Sequence, residues 1–236
     1  MIAVIDVVVP AHEEERELAT CIAALREAAM HPYLAGVAVH LGIVLDACSD
    51  RSGEVAERAL RGLDGARIVE CRVRSAGAAR AEGTRRLLAD QAGRDPASIW
   101  IATTDADTRV PRDWLALQLA AARSGADAVA GIVEVEDWSE QPGAVRGRFL
   151  ARYASLGTGA GHGHVHGANL GVRASALERA GGMPSLALAE DHALVDGLVA
   201  TGAAVLRSGI VRVRTSARRE ARAPGGFADL LRRLET

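Results

Sequence analysis

Two aspartates, Asp105 and Asp107, stand two residues apart in Thr104-Asp105-Ala106-Asp107-Thr108, directly after the apolar run Ile99 to Thr103. Carboxylates at i and i+2 on a turn that closes a strand can converge on one hard cation, and such a cation can bridge the two phosphates of a nucleoside diphosphate. The plainer reading is a polar turn whose acids cap the next helix. A second acidic pair, Glu190-Asp191, follows the turn Gly181-Gly182-Met183-Pro184. On their own these two can simply be N-terminal acids of a helix. Third, His162, His164 and His166 recur at two-residue spacing in a glycine-rich stretch from Gly157 to Gly167. In an extended chain they would share one side and could ligate zinc or complete another metal's coordination. They could equally belong to a loop that binds nothing, and His166 is the one best placed for substrate.

Composition removes several alternatives. All 28 basic residues are arginine, so a Schiff-base enzyme, a Walker-type phosphate loop and a protein-kinase site each lack their lysine. Phosphates must be held by arginine, backbone amides or metal. A net charge of -2 and an aromatic content of 3% offer little to nucleic acid. Cys21, Cys48 and Cys71 have no paired spacing and read as reduced residues of a cytoplasmic protein. No run approaches the roughly 20 apolar residues that span a bilayer, so the expectation is a soluble protein, at most peripheral to a membrane. The apolar start is broken by Asp6 and Pro10 and does not read as a signal peptide.

The elements that must position these residues alternate. Strands are expected over Ala3 to Val9, Val37 to Leu45, Arg67 to Cys71 and Ile99 to Thr103. Helices are expected over Glu13 to Ala29, with Leu18, Cys21, Ile22 and Leu25 inward, over Ser52 to Leu63 and over Ala78 to Gln91. This is the rhythm of βα units around a mainly parallel sheet, whose ligands sit beyond the carboxyl ends of the strands. A helix after Pro111, a strand over Ala126 to Val135, and a helix over Val145 to Leu156 with arginines on one face follow. Helices near Arg173 to Ala180 and Asp191 to Thr201, a strand over Ala203 to Val213 and an arginine-rich tail complete the chain.

Four further segments fall in a telling order. Val7-Val8-Val9-Pro10-Ala11-His12-Glu13-Glu14 ends the first strand, and Leu45-Asp46-Ala47-Cys48-Ser49-Asp50 ends the second. Gly77-Ala78-Ala79-Arg80-Ala81-Glu82-Gly83 opens a helix, and Gly167-Ala168-Asn169-Leu170-Gly171-Val172-Arg173 follows the histidines. With the two acidic pairs, these resemble the glycosyltransferase family 2 pattern of the GT-A fold, over roughly Val4 to Val213. The resemblance implies one α/β domain over residues 1–236 with a mainly parallel central sheet flanked by helices. Within it lie a nucleotide-sugar-binding half (1–110), an acceptor half (111–215) and a C-terminal tail (216–236).

By the same resemblance, Pro10, Ala11, His12, Glu14, Asp46, Gly77, Arg80, Asp105, Ala106 and Asp107 bind a UDP- or GDP-sugar, and Asp105 and Asp107 hold Mn²⁺ or Mg²⁺. His166, Gly167 and Asn169 face the acceptor, Asp191 is the base, and Glu190 assists it. The implied reaction is an inverting, non-processive, metal-dependent transfer of sugar to a hydroxyl. Glu13 stands where the family often has asparagine and Leu45 where it has an acid, and the Gln-x-x-Arg-Trp signature of processive synthases is absent. The arginines over Val145 to Leu156 suit an anionic acceptor, and Arg218, Arg219 and Arg222, before the Pro224-Gly225-Gly226 turn, could close over a diphosphate. Two other classes stay open: a zinc hydrolase built on His162, His164 and His166 with Glu190 or Asp191 as its base, and a nucleotide-sugar-binding module without catalysis. No Gly-x-Gly-x-x-Gly follows the first strand, which disfavours a nicotinamide dehydrogenase.

Overall fold

All eight residues of the first strand, β1 (Val4–Ala11), are buried, because β1 lies inside a sheet covered on both faces. The computed structural model of the chain describes residues 1–186, 188–220 and 226–235. Strand β1 pairs in parallel with β2 (Ala38–Asp46) on one side and β4 (Ile99–Thr103) on the other, and β2 pairs in parallel with β3 (Arg67–Cys71). Parallel register aligns their carboxyl ends: Ala11 lies opposite Leu45, Asp46 opposite Cys71, and Val8 opposite Thr103. The segments singled out in the sequence therefore emerge along one edge of the sheet.

Beyond β4 the sheet becomes mixed. It continues through β7 (Leu170–Arg173), β6 (Ala128–Val135), β8 (Val205–Thr215) and β5 (Thr108–Arg109), in the order β3-β2-β1-β4-β7-β6-β8-β5. Strand β7 runs antiparallel to both β4 and β6, and β5 runs antiparallel to β8. Neither β5 nor β7 was expected: with two and four residues they are too short to carry a period, and β7 begins directly after Asn169, which was read as facing the acceptor.

One face of the sheet is covered by α1 (Leu18–Ala29), α2 (Ser52–Leu60) and α4 (Trp114–Arg123), whose Leu18, Ile22, Leu25, Leu115 and Leu119 join β1 and β2 in one core. The other face is covered by α3 (Ala76–Asp90), α6 (Ala174–Arg179) and α7 (Glu190–Ala200), through Leu87, Leu177, Leu194 and Leu198. A third, smaller core joins α5 (Gly143–Ser155) to α8 (Phe227–Arg233), with Val145, Phe149, Ala217 and Leu231 at its centre. The tail is thus not simply a solvated arginine run, since Leu231 is fully buried against α5.

Helix α1 starts five residues later than its acidic beginning suggested. Glu13 adopts a left-handed backbone, the amide of Glu14 donates to Ser52 Oγ (2.8 Å), and that of Glu15 donates to Asp50 Oδ2 (3.0 Å). These acids are pinned to the loop after β2 instead of opening the helix. Among the described residues no helix is long and apolar enough to cross a membrane.

Candidate active site

The Asp105–Asp107 turn leaves β4 beside the end of β1, where the amide of Thr104 donates to Val8 O (3.3 Å). Cys21 Sγ contacts Asp105 O (3.4 Å) from α1, a buried thiol with a packing role. Ala106 is buried and contributes backbone only. Each aspartate carries its own arginine. Arg80, buried at 5% exposure, reaches Asp105 with one guanidinium nitrogen and Glu190 with the other. Arg218, from the segment after β8, takes both oxygens of Glu14 (2.7 and 2.5 Å) and lies 3.1 Å from Asp107 Oδ2.

Burial is the main cause that pushes the Asp107 carboxyl up to about 7, against the lowering influence of Arg218; Asp105 and Glu14 add to the rise. Arg80 is held protonated by Asp105 and Glu190 against the cost of its burial, and burial raises the Glu190 carboxyl.

Asp46 has a different task from the one expected of it. Its Oδ1 accepts from the amides of Val73 (2.7 Å) and Arg74 (2.9 Å), and its Oδ2 accepts from Ser75 (2.9 Å). At 3% exposure the carboxylate is spent on shaping the turn that delivers α3 and Arg80. His12 sits over it, with Nδ1 2.6 Å from Asp46 O, and Cys48 Sγ reaches Ala11 O (3.3 Å) just after Pro10.

Two glycines permit close approach. A Cβ on Gly77 would lie 2.4 Å from Leu186 O and 2.7 Å from Glu190 Cγ, and one on Gly167 would lie 2.6 Å from Arg80 Cζ. Gly167 also donates its amide to Asp191 Oδ2 (3.0 Å) and accepts from Thr103 Oγ1 (2.7 Å). Through this residue the Glu190–Asp191 pair, Arg80 and the end of β4 are brought together.

Asn169 does not face an acceptor. Its Oδ1 accepts from Trp114 Nε1 (2.9 Å) and its Nδ2 donates to Ile132 O (2.8 Å) and Val211 O (3.0 Å), so at 0% exposure it ties β6, β8 and α4 together. The three histidines do not form a zinc cage either. Successive ring centroids are 5.5 and 5.6 Å apart, His164 stacks on Tyr153 at 3.6 Å, and His166 Nε2 is 3.1 Å from Tyr153 Oη. Among the described residues no group of three His, Cys, Asp or Glu is placed to hold a metal.

For a divalent cation at Asp105 and Asp107 the donor chemistry fits: two hard carboxylates share one turn, Asp105 has a side chain 36% exposed, and further ligands would come from a diphosphate. The two guanidiniums now balancing these acids would at the same time gain phosphate oxygens to pair with.

Sequence reasoning missed three features. The pairing of Glu14 with Arg218 spans 204 residues, and Tyr153 has no motif. The third is backbone: among the described residues four non-glycines have positive φ, namely Glu13, Ala47, Arg74 and Ala189. They follow β1, β2 and β3 and precede α7, so strain collects around the site. Arg219 pairs with Glu235 (2.7 Å), away from Asp107, while Arg222, Pro224 and Gly225 lie outside the described residues.

Parallel strands whose carboxyl ends gather paired acids and their arginine partners give the arrangement of an α/β domain of the GT-A type. The chain belongs to glycosyl transferase family 2, whose model matches residues 6–181. The comparison with curated proteins found no match. Among solved structures, Staphylococcus aureus TarS 1-349 superposes with a TM-score of 0.66 at 12% identity, covering 92% of this chain and 61% of its own. The chain thus spans about three-fifths of that relative's length. The mannosyltransferase PcManGT from Pyrobaculum calidifontis, in complex with GDP-Man and Mn²⁺, gives 0.64 at 18% identity, covering 98% of this chain and 68% of its own. Glucosyl-3-phosphoglycerate synthase from Mycobacterium tuberculosis, in complex with Mn²⁺, UDP and glucosyl-3-phosphoglycerate, gives 0.56 at 18% identity, covering 98% and 77%.

Proposed function

We propose that the protein transfers a sugar from a UDP- or GDP-sugar to an acceptor hydroxyl by a single inverting displacement. The observation that carries this reading is the meeting of Asp105, Asp107, Arg80, Glu190 and Asp191 at the carboxyl edge of the sheet of a family 2 domain. The structural neighbours that hold UDP or GDP-Man together with Mn²⁺ support the donor class and a divalent metal.

Asp105 and Asp107 would hold that metal, which when bound supplies positive charge against the diphosphate. Arg80 and Arg218 stabilise the same developing charge from the protein side, in a chain with no lysine to do so. Asp191, oriented by the amide of Gly167 through Oδ2 and by the amide of His192 through Oδ1, takes the acceptor's proton as the hydroxyl attacks. Glu190, fixed by Arg80, keeps that guanidinium in register with the donor. Replacing Asp191 with Asn should leave binding of UDP and GDP unchanged while lowering transfer by about 10² to 10⁴-fold. A variant with normal turnover would remove Asp191 from the role of base.

A further inference from the structure

Four of the chain's seven Trp, Tyr and Phe residues, Trp138, Phe149, Tyr153 and Phe227, lie together over α5 and α8, and the histidine loop packs against them. Within this cluster Tyr153 is held by two rings, His164 stacked at 3.6 Å with the planes 13° apart and Phe149 tilted at 5.2 Å. Its phenol oxygen meets two groups. The amide of Val133 on β6 donates to it at 2.8 Å, and His166 Nε2 lies 3.1 Å away. An amide can only donate, so Val133 takes one lone pair of the phenol oxygen and leaves the Tyr153 proton free to be given to His166 Nε2.

A neutral imidazole carries one N–H, and burial, the main cause, lowers His166 to about 4, so its ring is neutral near pH 7. With Nε2 accepting, the proton resides on Nδ1. That nitrogen makes no hydrogen bond to any described residue, and the ring is half-buried. The charges of Asp191 and Asp105 both bear on it, and the next residue, Gly167, donates its amide to Asp191 Oδ2. The residue after His166 in the chain is thus the one that holds the Asp191 carboxylate.

We propose that Tyr153 is a positioning residue that fixes His166 in the Nδ1–H tautomer, so that His166 donates to the acceptor hydroxyl oxygen and the hydroxyl's own proton is directed to Asp191. The opposite tautomer would offer the hydroxyl a second base and misdirect that proton. Aligning the hydroxyl makes His166 a determinant of acceptor use, with no effect on the donor. The inference rests on Asp191 as base for its catalytic consequence, whereas the tautomer itself does not.

Long-range nitrogen–proton NMR of protein labelled with ¹⁵N-histidine reads the tautomer directly. His166 should show a protonated Nδ1 and a bare Nε2 near pH 7, and a protonated Nε2 would overturn the proposal. In kinetics, Tyr153→Phe should lower kcat/KM for the acceptor by about tenfold, as loss of one orienting hydrogen bond does, while donor KM stays unchanged. His166→Asn removes the ring that Tyr153 orients, so Tyr153→Phe should cost nothing further in the double variant. Equal losses in both backgrounds, or a matching rise in donor KM, would mark Tyr153 as a packing residue only. Failure of the base assignment would look different: full turnover of Asp191→Asn with the Nδ1–H signal intact.

Discussion

Arg218 shows how one side chain can settle the charge state of the site. It is the counterion of Glu14 and Asp107, both of which lie largely out of water. Removing it leaves two carboxylates facing each other. Arg218→Ala should destabilise the metal-free protein by roughly 2 to 3 kcal/mol, somewhat below a fully buried pair because the guanidinium keeps 20% exposure. Mn²⁺ should recover much of that loss by replacing the missing positive charge. Thermal melts with and without Mn²⁺ check this, and a deficit that Mn²⁺ leaves untouched would speak against shared use of Asp107. At this scale the sequence was legible where chemistry sits in short local patterns. Asp105, Arg80 and Glu190, from three separate segments, meet in space. It was illegible where partners are remote, as with Glu14 and Arg218, or where a polar residue turns inward, as Asn169 does.

At the scale of elements, the turn between β3 and α3 decides where Arg80 points. Asp46 gathers three consecutive amides of that turn, and Arg74 pays a left-handed backbone to present them. Asp46→Asn keeps an acceptor for Val73 and Arg74 but turns an NH₂ toward the Ser75 amide. The expected outcome is a loss of about 2 kcal/mol in stability and a raised donor KM, with kcat less affected. Urea unfolding and donor-dependent kinetics measure the two parts, and an unaltered KM would show that the turn does not govern Arg80. The long strands and helices were readable from their periodicity. The left-handed residues were not, because none of them is glycine and no sequence signal marks a non-glycine φ of this sign. The start of α1 was misplaced because its acids are used by the loop after β2.

For the whole molecule, a buried polar cluster on β1 lies apart from the chemistry. Asp6 is fully buried, contacts His40 Nδ1 (2.8 Å), and is pushed up from 3.8 to about 6, by burial first and against the lowering effect of His40. A carboxyl raised in the folded state favours the fold while protonated. Its contribution is complete below 3.8 and fades as pH rises through about 6. Asp6→Asn should therefore flatten the melting temperature between these values and match or exceed the wild type near neutral pH. A variant less stable than the wild type at neutral pH would mean that the ionised Asp6–His40 pair is net stabilising. Fold class was readable at this scale because the order of βα units constrains topology. The antiparallel insertion of β7, and the packing of the tail on α5, depend on contacts between distant segments that no local pattern encodes.

The central claim is that the Asp105–Asp107 turn holds a divalent cation against the donor's diphosphate. Calorimetric titration of UDP and GDP into the protein tests it most directly, with Mn²⁺ or with a chelator, for wild type and Asp107→Ala. The account predicts that the wild type binds one of the two nucleotides at least tenfold more tightly with Mn²⁺, and that Asp107→Ala loses this gain. Equal affinity with and without Mn²⁺, or an Asp107→Ala variant that responds to Mn²⁺ as the wild type does, would contradict it.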